Sequence, residues 1–283
     1  MNQNLPDCAV KERINVLGIR AHALNVASAK AAVLAAIRRR IKGYVCFVSV
    51  HGVMEAQRSS ELMSVINNAL LVAPDGMPLV WVGLSQRYKT MERVAGPEFM
   101  LEVMRSEEFR GCAHFLCGGE PGMAQELKEK LCRSVPGVNI CGVFTPPFSA
   151  MRLEEERALI EAVHRASPDI IWVGLGAPKQ ELFMARYLSC LDTTLMMGVG
   201  AAFLMHTGRI RQSPLWVRQA GLQWVHRLLQ EPIRLCRRYL FSNPVFILRI
   251  LAQFARHGRQ TSFESASRPS GAGVELKNLA RPQ

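Results

Sequence analysis

Asp75 stands where a short apolar run gives way to a proline-marked second start, in the stretch Leu70 to Leu79, LLVAPDGMPL. The apolar run reads as a buried strand, Asp75-Gly76 as its turn and Met77 to Trp81 as the following helix, which puts Asp75 at the carboxyl end of a strand. In open α/β sheets that edge is where ligands bind. A carboxylate in this position has two uses, to meet a ligand or to cap the helix that follows, and position alone leaves both open. A second chemistry-bearing stretch is Phe115 to Gly122, FLCGGEPG, where a strand passes through Gly118 and Gly119 into a helix. Such a turn lets backbone N–H groups and a helix N-terminus face a phosphate. Its G-G-x-x-G spacing is not the G-x-G-x-x-G of dinucleotide folds, and the next strand ends at Phe144-Thr145 where a ribose-binding carboxylate would be wanted. The third is VGLGAPKQE, Val173 to Glu181, which sets Lys179, Gln180 and Glu181 in the first turn of a helix begun by Pro178. Lysine there opposes the helix dipole, a cost that suits an anionic ligand at the crevice, although a plain surface cluster has the same sequence.

These residues need a sheet edge to bring them together. Tyr44 to Val50, YVCFVSV, is a charge-free strand buried on both faces, and it delivers Ser49 and His51 to the edge that carries Asp75. His51 and Glu55 stand four apart on one helix face, but two side chains are too few for a metal cage and no metal site is assigned. From Ala113 the alternation is regular. Strands at Ala113 to Cys117, Asn139 to Phe144, Ile170 to Gly174 and Thr194 to Val199 alternate with helices at Pro121 to Cys132, Leu153 to Ala166 and Pro178 to Tyr187. This predicts an α/β fold with a mainly parallel, Rossmann-like sheet covered by helices. Earlier in the chain, Ile14 to Leu17 is expected as an edge strand and Ser28 to Ile41 as a helix.

Composition bounds the rest. The formal charge is +12, and it is concentrated: residues 206 to 260 hold ten arginines against the single acid Glu231. Trp216, Trp224, Leu228, Leu229, Phe241, Phe246 and Leu251 are mixed among them, as in an amphipathic segment lying on a membrane. The expected division is an α/β catalytic domain over 1–205, a helical basic membrane-associating appendage over 206–260 and a disordered tail over 261–283. Apolar content beside the arginines, and a near-neutral α/β body, argue for lipid and against nucleic acid. Eight cysteines without a C-x-x-C pair, most inside apolar runs, fit a reducing, cytoplasmic setting. MNQNLPDCAVKER lacks the features of a signal peptide, and Val245 to Ala255, interrupted by Arg249, is too short to span a bilayer. No elbow of the G-x-S-x-G kind, P-loop or H-E-x-x-H occurs, so the hydrolase, P-loop kinase and zincin classes lack their motifs.

Taken in order, APDGMPLVW, ERVAGPEFM, FLCGGEPG, VGLGAPKQE, MGVGAAF, HTGRIRQSP and GLQWVHRLLQEPIRLCRR resemble the WecG/TagA/CpsF glycosyltransferase family from about Ile14 to Tyr239. The resemblance implies inverting, metal-independent transfer of a sugar from a UDP-sugar to a polyprenyl-diphosphate-linked saccharide in bacterial surface polysaccharide synthesis. The sugar would be a hexosyl, N-acetylhexosaminyl or glucuronosyl group. It further implies that Asp75 is the general base, that Arg93 and Gln180 line the active site, and that Gly118-Gly119 faces the nucleotide diphosphate. No cofactor is expected. The basic appendage would dock peripherally on the inner face of the cell membrane and help close the site, and a homo-oligomer is compatible with the sequence. With no metal, the charge growing on UDP must be absorbed by cations such as Arg227, Arg234, Arg237 or Arg238. The chain departs from the family's pattern at Phe47, where threonine is frequent, at Leu204, where aspartate is usual, and at Gln223, where glutamate is usual. These departures also permit a catalytically lapsed assembly subunit.

Overall fold

The computed structural model describes residues 12–147 and 149–266; side chains are described for these except at 234, 237, 238, 241 and 257–266. In chain order the elements are β1 (Arg13–Val16), β2 (Ile19–His22), α1 (Val26–Arg38), β3 (Gly43–Val48), α2 (Val50–Ala56), α3 (Ser60–Asn67), β4 (Leu71–Pro74), α4 (Met77–Ser85) and α5 (Gly96–Arg105). A short 3-10 turn at Glu107–Phe109 leads to β5 (Ala113–Gly118), α6 (Met123–Ser134), β6 (Asn139–Phe144), α7 (Leu153–Ala166), β7 (Ile170–Gly174), α8 (Lys179–Tyr187), β8 (Leu195–Gly198) and α9 (Ala202–His206). The C-terminal helices are α10 (Leu215–Gln219), α11 (Gln223–Gln230) and α12 (Pro232–Ala266). The first residues of the chain, 1–11, on which the signal-peptide reading rested, lie outside the described residues. So do residues 267–283 of the expected tail, whose first residues continue α12 as far as Ala266.

Six parallel strands make one sheet in the order β4-β3-β8-β7-β5-β6. Because side chains alternate along a strand, β3 sends Val45 and Phe47 to one face and Tyr44, Cys46 and Val48 to the other, and all six of its residues are buried. In β7 the same alternation sends Ile170 and fully buried Trp172 one way, Ile171 and Val173 the other. Helices α1, α5, α6 and α9 supply apolar side chains to the first core, while α2, α3, α7 and α8 supply the second. Each fully buried aliphatic or aromatic side chain contributes roughly 1.5–3 kcal/mol relative to exposure, so a sheet covered on both faces is the stable form of this pattern.

The expected edge strand near Ile14 belongs elsewhere. β1 pairs antiparallel with β2 in a separate two-stranded hairpin, turned at Leu17 and Gly18, both with positive φ. The sequence signal was weak because Leu-Gly is not one of the usual hairpin turn pairs and the second strand is only four residues, IRAH. The hairpin also receives the far end of the C-terminal helices. Gln253 of α12 accepts from the Leu17 N–H at 2.8 Å and donates to the Asn15 carbonyl at 2.8 Å. Phe246 and Ile250 of α12 are buried in the second core. Between Phe246 and Gln253 the basic segment is therefore packed on the α/β body, with apolar side chains inward.

Candidate active site

A cavity of about 1550 Å³ opens at the carboxyl ends of the parallel strands. Ser49 and His51 after β3, Asp75 after β4, Gly119 after β5, Thr145 after β6, Gly176 after β7 and Gly200 after β8 all line it. The C-terminal helices form the opposite wall through Arg218, Trp224, Arg227, Tyr239, Phe246 and Ile250. The strand end inferred from LLVAPDGMPL thus opens into a cavity, and the cavity is roofed by the C-terminal helices.

Asp75 is held by its own backbone and by the neighbouring loop. Its N–H donates to the Val48 carbonyl at 2.9 Å, and the Val94 N–H donates to the Pro74 carbonyl at 2.9 Å, which draws Arg93 alongside. The capping alternative does not hold, because the N-cap of α4 is Gly76 and no side chain bonds there. Arg93 Nη1 lies 3.6 Å from Asp75 Oδ1, an ionic contact beyond hydrogen-bond reach. Burial pushes the Asp75 carboxyl up to about 7; Arg93 and Arg227 act against the rise and the Glu98 carboxylate adds to it. A carboxylic acid that titrates near neutrality can accept a proton from a hydroxyl during reaction and is not so weak a base as an ordinary surface aspartate.

Cations surround this carboxylate. Arg93, Arg218 and Arg227 all line the cavity, and Arg93 Nη1, Arg218 Nε and Arg227 Nε are buried without a hydrogen-bond partner among the described residues. Glu98 takes Arg93 Nη2 at 2.7 and 2.5 Å, Gln212 Nε2 at 3.1 Å and Arg218 Nη1. Arg227 is anchored through Nη2 to Glu231 at 3.2 Å, which aims the rest of its guanidinium inward. Buried donors left open in this way can be completed by water or by an anion.

The glycine turn divides its labour. Gly118 has φ +135°, and a Cβ there would lie 2.7 Å from the Gly174 backbone, so Gly118 is a close-approach residue and Gly119, with φ +77°, is the one that faces the cavity. Glu120, Pro121 and Met123 continue the same wall into the N-terminus of α6. On α8, Lys179 and Gln180 line the cavity, but Glu181 does not. Glu181 sits on the buried face with Phe183 and Met184, its carboxyl raised by burial and held by Gln180 Nε2 at 3.0 Å. Gln180 also donates to the Gly198 carbonyl and accepts from the Gly200 N–H, each at 2.9 Å. Its amide therefore fixes the turn after β8, with both N–H donors used and one lone pair of Oε1 left for a ligand.

Sequence reasoning did not single out Glu98 or Arg218. Glu98 reads as a first-turn acid complementing the dipole of α5, and Arg218 is one of ten arginines in a segment where nothing marks the inward-facing ones. Arg234, Arg237 and Arg238 fall on α12, with side chains outside the described residues. Among the departures, Phe47 and Leu204 line the cavity as apolar surface, Phe47 against the Phe99 ring at 5.5 Å, and Gln223 opens α11 on the same wall. Among the described residues no group of three His, Cys, Asp or Glu side chains is placed to hold a metal ion.

A family model matches most of the chain. Residues 14–260 match the model described as "Glycosyl transferase WecG/TagA/CpsF family", a span that takes in the sheet, the cavity edge and nearly all of the C-terminal helices. On a match of that extent, the chain belongs to the WecG/TagA/CpsF family of glycosyltransferases.

Proposed function

We propose that this glycosyltransferase moves a sugar from a UDP-sugar to a polyprenyl-diphosphate-linked saccharide, with inversion and without a metal ion, while bound peripherally to a membrane. One observation carries the reading: Asp75, a strand-end carboxylate of raised pKa, shares its cavity with three arginines that each keep a buried N–H group without a hydrogen bond among the described residues. In a single in-line displacement the acceptor hydroxyl oxygen bonds to the anomeric carbon as Asp75 takes the hydroxyl proton. The bond from that carbon to the UDP oxygen breaks, and its electron pair leaves with UDP. Arg93, Arg218 and Arg227, with the N-termini of α6 and α8, would stabilise the growing negative charge. The cavity also exceeds the roughly 300–1,000 Å³ usual for one small ligand, which suits a donor and an acceptor held together.

The donor half is tested by UDP alone. Because a ligand that binds only the folded state raises apparent stability with its concentration, the thermal midpoint should climb steadily with UDP in the presence of EDTA. A midpoint indifferent to UDP, or one that responds only after a divalent metal is added, contradicts the reading.

The membrane half rests on the outer surface of the same helices. Trp216, Ile233, Leu240 and Leu248 are all more than half exposed and lie off the cavity lining, in a segment rich in arginine. No helix among the described residues is long and apolar enough to cross a membrane. Each engaged Lys or Arg contributes on the order of 1 kcal/mol at an anionic surface, so the protein should sediment with phosphatidylserine or phosphatidylglycerol vesicles and be largely released by salt. Apolar insertion should leave a salt-resistant fraction, and replacing Trp216 and Leu248 by serine should remove it. Equal sedimentation with purely zwitterionic vesicles would show that the arginines serve some other partner.

A further inference from the structure

Glu98 takes no part in the displacement described above, yet it pairs with two arginines at the cavity edge, Arg93 and Arg218. Arg93 reaches both of its oxygens through Nη2, at 2.7 and 2.5 Å, while the same guanidinium stands 3.6 Å from Asp75. Its short hydrogen bonds therefore go to Glu98 and only a long ionic contact to Asp75. Were Arg93 to fork onto Asp75, the carboxylate would be stabilised as the anion and would lose strength as a base. Glu98 Oε1 also takes Arg218 of α10 and, at 3.1 Å, Gln212 of the segment leading into it. One carboxylate thus fastens the loop beside the base to the start of the C-terminal helices.

We propose that Glu98 is a positioning residue that keeps Arg93 turned away from Asp75 and ties α10 over the catalytic edge, so that base strength and closure of the cavity depend on one side chain. The inference rests on the assignment of Asp75 as the base. The charged groups acting on Asp75 are Arg93 from the loop after α4, Glu98 from α5 and Arg227 from α11. His51 of α2, Arg218 of α10 and Lys179 of α8 line the same cavity. Glu120, paired with Arg209, and Arg186, paired with Glu156, line it too. Of the groups acting on Asp75 only Glu98 is a carboxylate, so removing its charge acts on Asp75 twice: a like charge is lost, and Arg93 is released toward the base.

The test is the titration of Asp75 itself, followed by the carboxyl ¹³C signal of protein labelled at aspartate and assigned with Asp75→Asn. In Glu98→Gln the midpoint should fall by about one pH unit or more, and the acid limb of kcat/KM should fall with it. Limited proteolysis within residues 209–231 should accelerate in the same variant. Glu98→Asp, which keeps the charge, should hold the midpoint near that of the parent and serves as the reading if the glutamine variant does not fold. Arg218→Ala separates the two roles, since it should quicken proteolysis and leave the Asp75 midpoint where it was. An unmoved midpoint in Glu98→Gln, or a midpoint in Glu98→Asp that falls as far, overturns the proposal. If the midpoint falls but the rate profile does not follow, the placement of Glu98 stands and Asp75 is not the base.

Discussion

Replacing Asp75 with asparagine should lower kcat by roughly 10²–10⁴-fold, the range expected when a positioned general base is removed. UDP affinity should be nearly unchanged, because the carboxylate works on the acceptor hydroxyl and the arginines hold the leaving group. Steady-state kinetics beside a UDP titration would make the distinction, since loss confined to kcat marks an interaction made only in the transition state. The variant should also fold well. Burial holds the Asp75 carboxyl near pH 7, above the ordinary aspartate range, so between about pH 4 and 7 the folded protein binds a proton that the unfolded chain releases. Its contribution to stability is therefore present at low pH and lost as pH rises through about 7, where the partly buried anion becomes a burden. Asparagine carries no such burden, and at pH 8 the variant should unfold at a temperature no lower than the parent's. A variant that retains most of its rate would leave Asp75 without a chemical role.

The second large effect is expected at Arg227. Its Nη2 is fixed on Glu231 and its Nε is buried with no partner among the described residues, so the side chain is already oriented toward a charge that arrives with the substrate. Preorganised donors of this kind contribute most where water is excluded, and the loss of one typically costs about 10²–10³-fold in turnover. Arg227→Ala should therefore reduce kcat/KM for the UDP-sugar by that order while the thermal midpoint of the ligand-free protein changes little. Lysine at the same position should recover part of the rate, because it restores charge without the planar fork. Equal activity in all three proteins would place the leaving diphosphate elsewhere in the cavity.

What the sequence discloses about this fold follows from how local each signal is. The spans Asn139–Phe144, Leu153–Ala166 and Ile170–Gly174 were legible to the residue, because each is a strongly periodic run bounded by polar or glycine breaks. Asp75 and Ser49 were also legible as edge residues, since a charge-free strand followed by a turn has only one end at which ligands bind. Sheet order was not, because six buried parallel strands read alike and their neighbours are set by crossovers. Nor was the inner face of the C-terminal segment: ten arginines among aromatic residues give no sign that Arg218 and Arg227 turn inward. The PKQE stretch shows the limit most plainly. Its four residues suggest a cluster of ligands, but helix periodicity turns Glu181 to the buried side beside Met184 and leaves Lys179 and Gln180 on the cavity wall. Glu98 is the converse case, a residue that local sequence explains fully as a helix-start acid and that only the tertiary approach of Arg93 and Arg218 makes central.

The account is tested most directly by UDP release from a panel of UDP-sugars, measured in EDTA with a short-chain polyprenyl-diphosphate-linked saccharide as acceptor. It predicts release with at least one donor, dependent on the acceptor, rising with pH through about 7 and abolished in Asp75→Asn. Release that requires added metal, or that proceeds undiminished in Asp75→Asn, would contradict it.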